Sequence, residues 1–321
     1  MPESPPPRIS AVIPAYNSAG FIADAIASIR AQTVPVSEII VVDDGSRDHT
    51  AERVRALGEG IRLIEQSNQG PSAARNRGIE AAGGDWIAFL DADDQWLPDR
   101  LERQFAVLAR HPDVALVAGD MREIDAHDAV ICDSVLARHG LREAFDEHPV
   151  PRAAARLLEK NFIPTGTVLA RRDILRALGG FRTDIRYGED LELWVRIALQ
   201  HPIVMLPEVM MLRRQHGANA TRDEAPMLRD LVRVMQSLRD FEQPALEEQG
   251  IDIEAGIARA CWVLGYHRLN HDERDEARRA FAASFRSRPS PRAAVFWLLA
   301  ALPPPLTEGL RRARRTLKGD S

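Results

Sequence analysis

Two short apolar runs in this chain end abruptly in clustered carboxylates: Ile39-Ile40-Val41-Val42-Asp43-Asp44 and Phe89-Leu90-Asp91-Ala92-Asp93-Asp94. A brief, continuous apolar run bounded by turn residues reads as a strand buried on both faces. Acids at the exit of such a strand are costly unless donors or cations meet them. The two runs belong to a longer alternation: strand Ile9 to Pro14, helix Phe21 to Ala31, strand Glu38 to Val42, helix Thr50 to Leu57, strand Ile61 to Glu65, helix Ser72 to Ala82 and strand Trp86 to Leu90. That order predicts an α/β fold, a mostly parallel sheet flanked by helices. Open sheets of this kind bind ligands outside the carboxyl ends of their strands, where both acidic clusters fall.

Beyond Asp91 the pattern loosens. Helices are expected near Pro98 to Arg110, Pro151 to Glu159, Asp173 to Leu178 and Asp190 to Gln200, and strands near Val114 to Ala118 and Thr167 to Ala170. The polar stretch from Glu123 to Val150 has weak periodicity. At 321 residues the chain has length for two units, expected as 9–221 and 222–321 after a Pro-rich lead-in over 1–8. The second unit reads as a helical C-terminal extension. Within it Leu264, Gly265, Ala277, Phe281 and Pro289 have the spacing of one tetratricopeptide-like hairpin, read as packing on the catalytic domain, with a protein-docking surface as the alternative.

Composition narrows the function classes. A formal net charge of -5 gives no general attraction to nucleic acid. Cys132 and Cys261 lie far apart without metal-ligand spacing, which fits a reducing, cytoplasmic setting. The lead-in lacks the apolar core of a secretory signal, and no apolar run approaches the roughly 20 residues of a membrane span. The C-terminal end joins Val295-Phe296-Trp297-Leu298-Leu299 to Arg311, Arg312, Arg314, Arg315 and Lys318, so either a peripheral contact with the inner face of a membrane or a solvated helix end is expected there.

The residue types at the strand exits point to phosphate chemistry. Asp91 and Asp93, two apart on extended backbone, face one side and can converge on a cation. Hard oxygen ligands suit Mn2+ or Mg2+, whose shells substrate phosphates commonly complete. At the end of the first strand, Pro14-Ala15-Tyr16-Asn17 presents an aromatic ring able to stack on a base, beside a backbone fixed by Pro14. Asp48 or Thr50 is expected to cap the helix that follows.

Taken in order, Pro14-Ala15-Tyr16-Asn17, Val42-Asp43-Asp44-Gly45-Ser46, Asn68-Gln69-Gly70 with Ala74-Arg75-Asn76, Asp91-Ala92-Asp93 and Gly188-Glu189-Asp190 resemble an inverting family-2 glycosyltransferase with the GT-A fold, over Ile9 to Thr221. The resemblance implies a nucleotide-sugar donor, foremost a UDP-sugar, and a saccharide or lipid-linked acceptor. It implies that Tyr16 stacks on uracil, Asp44 accepts from the base, Asp93 binds the metal directly, and Asp91 touches the ribose or the metal through water. Pro14, Ala15, Asn17, Asp43 and Ala92 would line the nucleotide, and Arg75 could reach its phosphates, with a salt bridge on its helix face as the competing reading. His216 resembles a histidine that some relatives bring near the diphosphate, with metal or phosphate contact weighed against a surface position. Asp190 is implied as general base, with Glu189 the alternative and simple helix capping the competing reading. Asn161 to Thr167 is expected near the acceptor, Trp194 is expected in packing, and Arg196 is left open. A dinucleotide oxidoreductase is excluded by the lack of GxGxxG after the first strand. A sugar-nucleotide pyrophosphorylase and an inactive nucleotide-binding scaffold are the remaining alternatives.

Overall fold

The computed structural model describes residues 8–216 and 224–302. The chain divides into two compact units, Met1–Ala220 and Thr221–Ser321. Most of the lead-in, the boundary at 221 and 222, and the basic tail lie outside the described residues.

In the first unit β1 (Ile9–Ala15), α1 (Ile22–Arg30), β2 (Glu38–Asp43), α2 (Thr50–Ala56), β3 (Ile61–Glu65), α3 (Pro71–Ala81) and β4 (Trp86–Phe89) follow the expected alternation. β1 pairs in parallel with β2 and β4, setting Val12 beside Ile40 and Phe89, and β2 pairs in parallel with β3. Ala11, Val12, Ile13, Ile40 and Val41 are fully buried, which is why these strands read as unbroken apolar runs. α1 supplies one covering face, because Ile22, Ala25, Ile26 and Ile29 recur at helical spacing and all are buried.

The rest of the unit comprises β5 (Gln95–Trp96), α4 (Arg100–Arg110), β6 (Leu116–Ile124), β7 (Val130–Cys132), α5 (Val135–Arg138), α6 (Ala153–Glu159), β8 (Leu169–Arg171), α7 (Arg172–Ala177), α8 (Glu189–Gln200) and β9 (Ile203–Arg214). The strand order is β3-β2-β1-β4-β8-β6-β9-β5, with β7 on β6. Parallel pairing therefore holds over β3-β2-β1-β4 and returns between β6 and β9, while β8, β7 and β5 join antiparallel. The sheet is α/β as expected, and mixed in its second half.

β9 has no counterpart in the sequence reading. Its apolar run is broken by Pro207, which cannot donate to a ladder. The structure accommodates it as a bulge: Leu206 lies opposite Gly119 and Val209 opposite Asp120, so Pro207 and Glu208 are skipped. Gly119 leaves room for Met210 here, since a Cβ would lie 2.3 Å from the Met210 sulfur and push that side chain aside. Past the bulge, β9 carries the chain to His216.

The second unit is helical: α9 (Glu224–Glu248), α10 (Ile253–Asn270), α11 (Arg274–Ser287) and α12 (Pro291–Ala301). Asp252 caps α10 by accepting from the Ala255 N–H at 2.8 Å, and Ser290 caps α12 from the Ala293 N–H at 3.2 Å. Leu269, Ala277, Phe281 and Ala300 form its core with Trp262 and Phe296 against it. The Phe281 ring lies where a Cβ on Gly265 would be, 2.9 Å away, so the glycine lets α10 and α11 approach. No helix among the described residues is long and apolar enough to cross a membrane.

Candidate active site

The exits of β1 and β2 are laced together. Asn17, at φ 50°, donates its N–H to the Ser46 hydroxyl at 2.9 Å, and its side-chain oxygen accepts from the Arg47 N–H at 2.8 Å. Asp43 turns the chain by accepting from the Ser46 N–H at 3.2 Å and from the Ser46 hydroxyl. Asp44 is buried and accepts from Gln66 Nε2 at 2.8 Å, the Gln69 N–H at 2.9 Å and the Gly70 N–H at 2.8 Å. A carboxylate offers about four acceptor positions, so these donors leave room for one more. Gly45, at φ +74°, is needed where the two loops touch, since a Cβ would sit 2.9 Å from the Asn68 nitrogen. Ala15 is buried and Pro14 partly so, while the Tyr16 ring at the rim is 45% exposed. Asp48 closes the loop by accepting from the Ala19 and Thr50 N–H groups, both at 3.0 Å.

β4 ends in the second acidic cluster. Ala92 is buried, whereas the Asp91 and Asp93 side chains keep partial access to solvent. β5 then pairs with β9, Gln95 opposite Leu212 and Trp96 opposite Met211, and this pairing brings the end of β9 back to the acids. The Arg214 N–H donates to Asp94 at 2.9 Å, and His216 Nε2 lies 2.9 Å from Asp93 Oδ2. Phe21 stacks on the His216 ring at 4.8 Å between centroids. Burial pushes Asp93 up from the usual carboxylate range and Asp91 adds to it, against the hydrogen bond from His216. Burial also drives Asp94 well up, reinforced by Asp93 and Asp91. Among the described residues no group of three or more His, Cys, Asp or Glu side chains is placed to hold a metal ion. The Asp93 and His216 pair supplies two donors.

Arg75 joins this cluster to the start of α8. It projects from α3, is buried, and donates to Asp91 at 2.8 Å and to Glu189 at 3.0 Å. Burial opposes its charge, yet Asp91 and Glu189 outweigh that and hold its affinity for the proton above the ordinary arginine value. Both terminal nitrogens are engaged, so Arg75 is first a bridge between two acidic motifs. Glu189 is pushed up to about 7, by burial first and by Asp190 second, with Arg75 working the other way.

Asp190 faces the other side. Its Oδ2 accepts from Asn161 Nδ2 at 3.2 Å and Thr165 Oγ1 at 3.4 Å, and its Oδ1 from the Leu191 N–H at 2.7 Å. Burial raises its proton affinity, opposed by the Leu191 N–H and the Arg75 charge. The helix N-cap is Gly188 in the left-handed region, with no side-chain capping bond, so neither acid serves as an N-cap. Asn76 on α3 clamps the Phe181 backbone, accepting from its N–H at 2.8 Å and donating to its carbonyl at 2.7 Å. Arg196 donates to the carbonyls of Leu178 and Gly180 and pairs with the buried Glu192, so it shapes the turn before α8. Trp194 is fully buried among Phe89 and Phe181.

One continuous series of contacts thus runs through the site. Asp44 holds the start of α3, and Arg75 on α3 holds Asp91 and Glu189. Asp93 follows one and Asp190 the other. Sequence reasoning missed Arg100, fully buried, which donates to the Gly166 and Val168 carbonyls, both at 2.8 Å, and stacks on Trp96. It fixes the turn that presents Thr165. A charged residue in the first turn of an amphipathic helix gave no sign of burial.

A parallel half-sheet with acids at its strand exits, continued by a mixed half and a helix that opens on further carboxylates, is the arrangement of the GT-A class of fold. The chain belongs to glycosyl transferase family 2, whose profile matches residues 10–178. An uncharacterized glycosyltransferase of Rickettsia prowazekii is 30% identical over 218 residues, covering 67% of this chain and 66% of that protein, so the match falls just short of two thirds of the relative's length. Among solved structures, S. aureus TarS 1-349 in complex with UDP-GlcNAc superposes with a TM-score of 0.69 at 16% identity, covering 95% of this chain and 92% of that one. A Pyrobaculum calidifontis mannosyltransferase, PcManGT, in complex with GDP-Man and Mn2+, gives 0.60 at 22% identity, covering 93% and 81%. At such identities the two structures support the fold.

Proposed function

We propose that this chain is an inverting, metal-dependent glycosyltransferase that moves a sugar from a nucleoside diphosphate, foremost UDP, to a hydroxyl of a saccharide or lipid-linked acceptor in polysaccharide or glycolipid assembly. The observation that carries the reading is the Arg75 bridge, which ties the acidic exit of β4 to the acids opening α8. Tyr16 stacks on the base and Asp44 accepts from it with its remaining acceptor position, while Pro14, Ala15, Asn17, Asp43 and Ala92 shape the nucleotide's bed.

Asp93 and His216, with Asp91 beside them, fit a divalent cation by the chemistry of the donor set. Carboxylates whose protons are held first by burial and then by mutual repulsion favour a positive partner, and Mg2+ or Mn2+ is commonly bound through one or two carboxylates plus substrate phosphates. Such an ion supplies charge neutralisation at the departing diphosphate. Asp190 takes the proton of the acceptor hydroxyl while that oxygen attacks the anomeric carbon from the face opposite the diphosphate. Asn161 and Thr165 aim its carboxylate, and burial brings its proton affinity closer to neutral, as a general base requires. Nothing here needs an acid to protonate the leaving group.

Calorimetric titration with UDP tests the site. Mn2+ is expected to tighten binding, and Asp93→Ala to remove that gain while leaving the fold intact. Equal UDP affinity with and without the ion would overturn the metal assignment.

A further inference from the structure

Arg100 opens α4 and its side chain is fully buried, yet among the described residues no carboxylate pairs with it. Every partner of its guanidinium is neutral. Nη1 donates to the Gly166 carbonyl at 2.8 Å and more weakly to the Phe89 carbonyl at 3.4 Å, Nη2 to the Val168 carbonyl at 2.8 Å, and Nε to Gln104 Oε1 at 3.2 Å. The Trp96 ring covers its face at 4.0 Å. A buried cation without a counter-charge is destabilising, and an apolar side chain of similar volume would fill the space at less cost. Its position is therefore explained by what it holds, the short turn Thr165–Thr167 and the residue after it. The Gly166 carbonyl also accepts from Trp96 Nε1 at 3.0 Å, and the Thr167 carbonyl accepts from Gln104 Nε2 at 2.8 Å, so side chains of β5 and α4 meet three successive carbonyls. Gly166 is pressed so closely that a Cβ would lie 2.7 Å from the Met211 sulfur. At the open end of this clamped turn, half-buried Thr165 reaches Asp190 Oδ2 with its hydroxyl at 3.4 Å, next to Asn161 Nδ2 at 3.2 Å.

We propose that Arg100 is a positioning residue for the general base: by clamping the turn through its carbonyls, it keeps the Thr165 hydroxyl on the carboxylate of Asp190. The inference rests on the reading of Asp190 as that base. A hydroxyl that donates to a carboxylate favours its charged form and fixes its direction. Displacing a catalytic group by about 1 Å can cost on the order of 10²-fold in rate. The planar fork of arginine serves two carbonyls at once while stacking on Trp96, which the single ammonium of a lysine does not reproduce. The charged groups acting on Asp190 are Arg75 from α3 and its neighbour Glu189, and both stay in place when Arg100 is changed.

The test is carboxyl carbon NMR of the full chain labelled at aspartate, with the Asp190 signal assigned by its loss in Asp190→Asn. Arg100→Lys and Thr165→Val are each expected to raise the midpoint of the Asp190 titration by about half a pH unit, because each takes the hydroxyl off the carboxylate. The double variant should match Thr165→Val alone, since Arg100 acts through that hydroxyl. UDP affinity by calorimetry should stay unchanged in all three, while transfer, followed as UDP release, falls about tenfold or more. If Arg100→Lys does not fold, Trp96→Phe, which removes one donor to the Gly166 carbonyl, takes its place in the cycle with the same direction expected. An Asp190 midpoint that Arg100→Lys leaves where it was, or shifts that add in the double variant, would overturn the proposal while leaving the base in place. Wild-type transfer by Asp190→Asn would instead remove the base itself, and the proposal with it.

Discussion

Replacing Glu189 with Gln removes one buried carboxyl while keeping its shape and an oxygen able to accept from Arg75. In the folded chain Glu189 is raised from its ordinary 4.5 to about 7, because burial and Asp190 together outweigh Arg75. The folded state therefore holds this proton more tightly than the unfolded state does. The resulting stabilisation is fully present below 4.5 and is lost as pH rises through about 7. That span converts to about 3 kcal/mol. The side chain is only 12% exposed, so solvent screening removes little of it. Urea unfolding of both chains, followed by tryptophan emission at a series of pH values, isolates the effect as the difference between them. Any constant penalty from the altered Arg75 contact cancels from its slope. The stability of Glu189→Gln relative to wild type should climb by about 3 kcal/mol between acid and mildly alkaline pH. A difference that stays flat across this window would refute the reasoning, and one that falls would mean that Arg75 dominates burial.

Three further outcomes follow from the same contacts. Asp190→Asn should retain donor affinity but lose about 10²–10⁴-fold in transfer rate, measured as UDP release with acceptor present. Wild-type transfer should fall on acidification at a pH above that of an ordinary aspartate, since burial raises this group. Arg75→Ala leaves Asp91 and Glu189 without their shared cation and should cost about 3–5 kcal/mol by chemical denaturation.

Much of the first half of the fold was legible because burial on both faces leaves a plain signature. β1, β2 and β4 appear as apolar runs, and the helices between them show spacing such as Ile22, Ala25, Ile26 and Ile29. The acids were legible for the opposite reason, being expensive where they stand. β9 was hidden by Pro207 and by a bulge that no local pattern announces. β7 and α5 lie in the polar stretch after Glu123, where Val130 and Ile131 are exposed and no face repeats. The partners of Arg75 come from 16 and 114 residues away in sequence, a juxtaposition that only tertiary structure supplies. Asn161 and Thr165 fell in a segment expected near the acceptor, yet their hold on Asp190 could not be read from spacing.

The Arg75 bridge also limits how this part of the fold can be remodelled. One guanidinium ties the end of β4 to the start of α8, so these two acidic ends cannot move apart without stranding a buried charge.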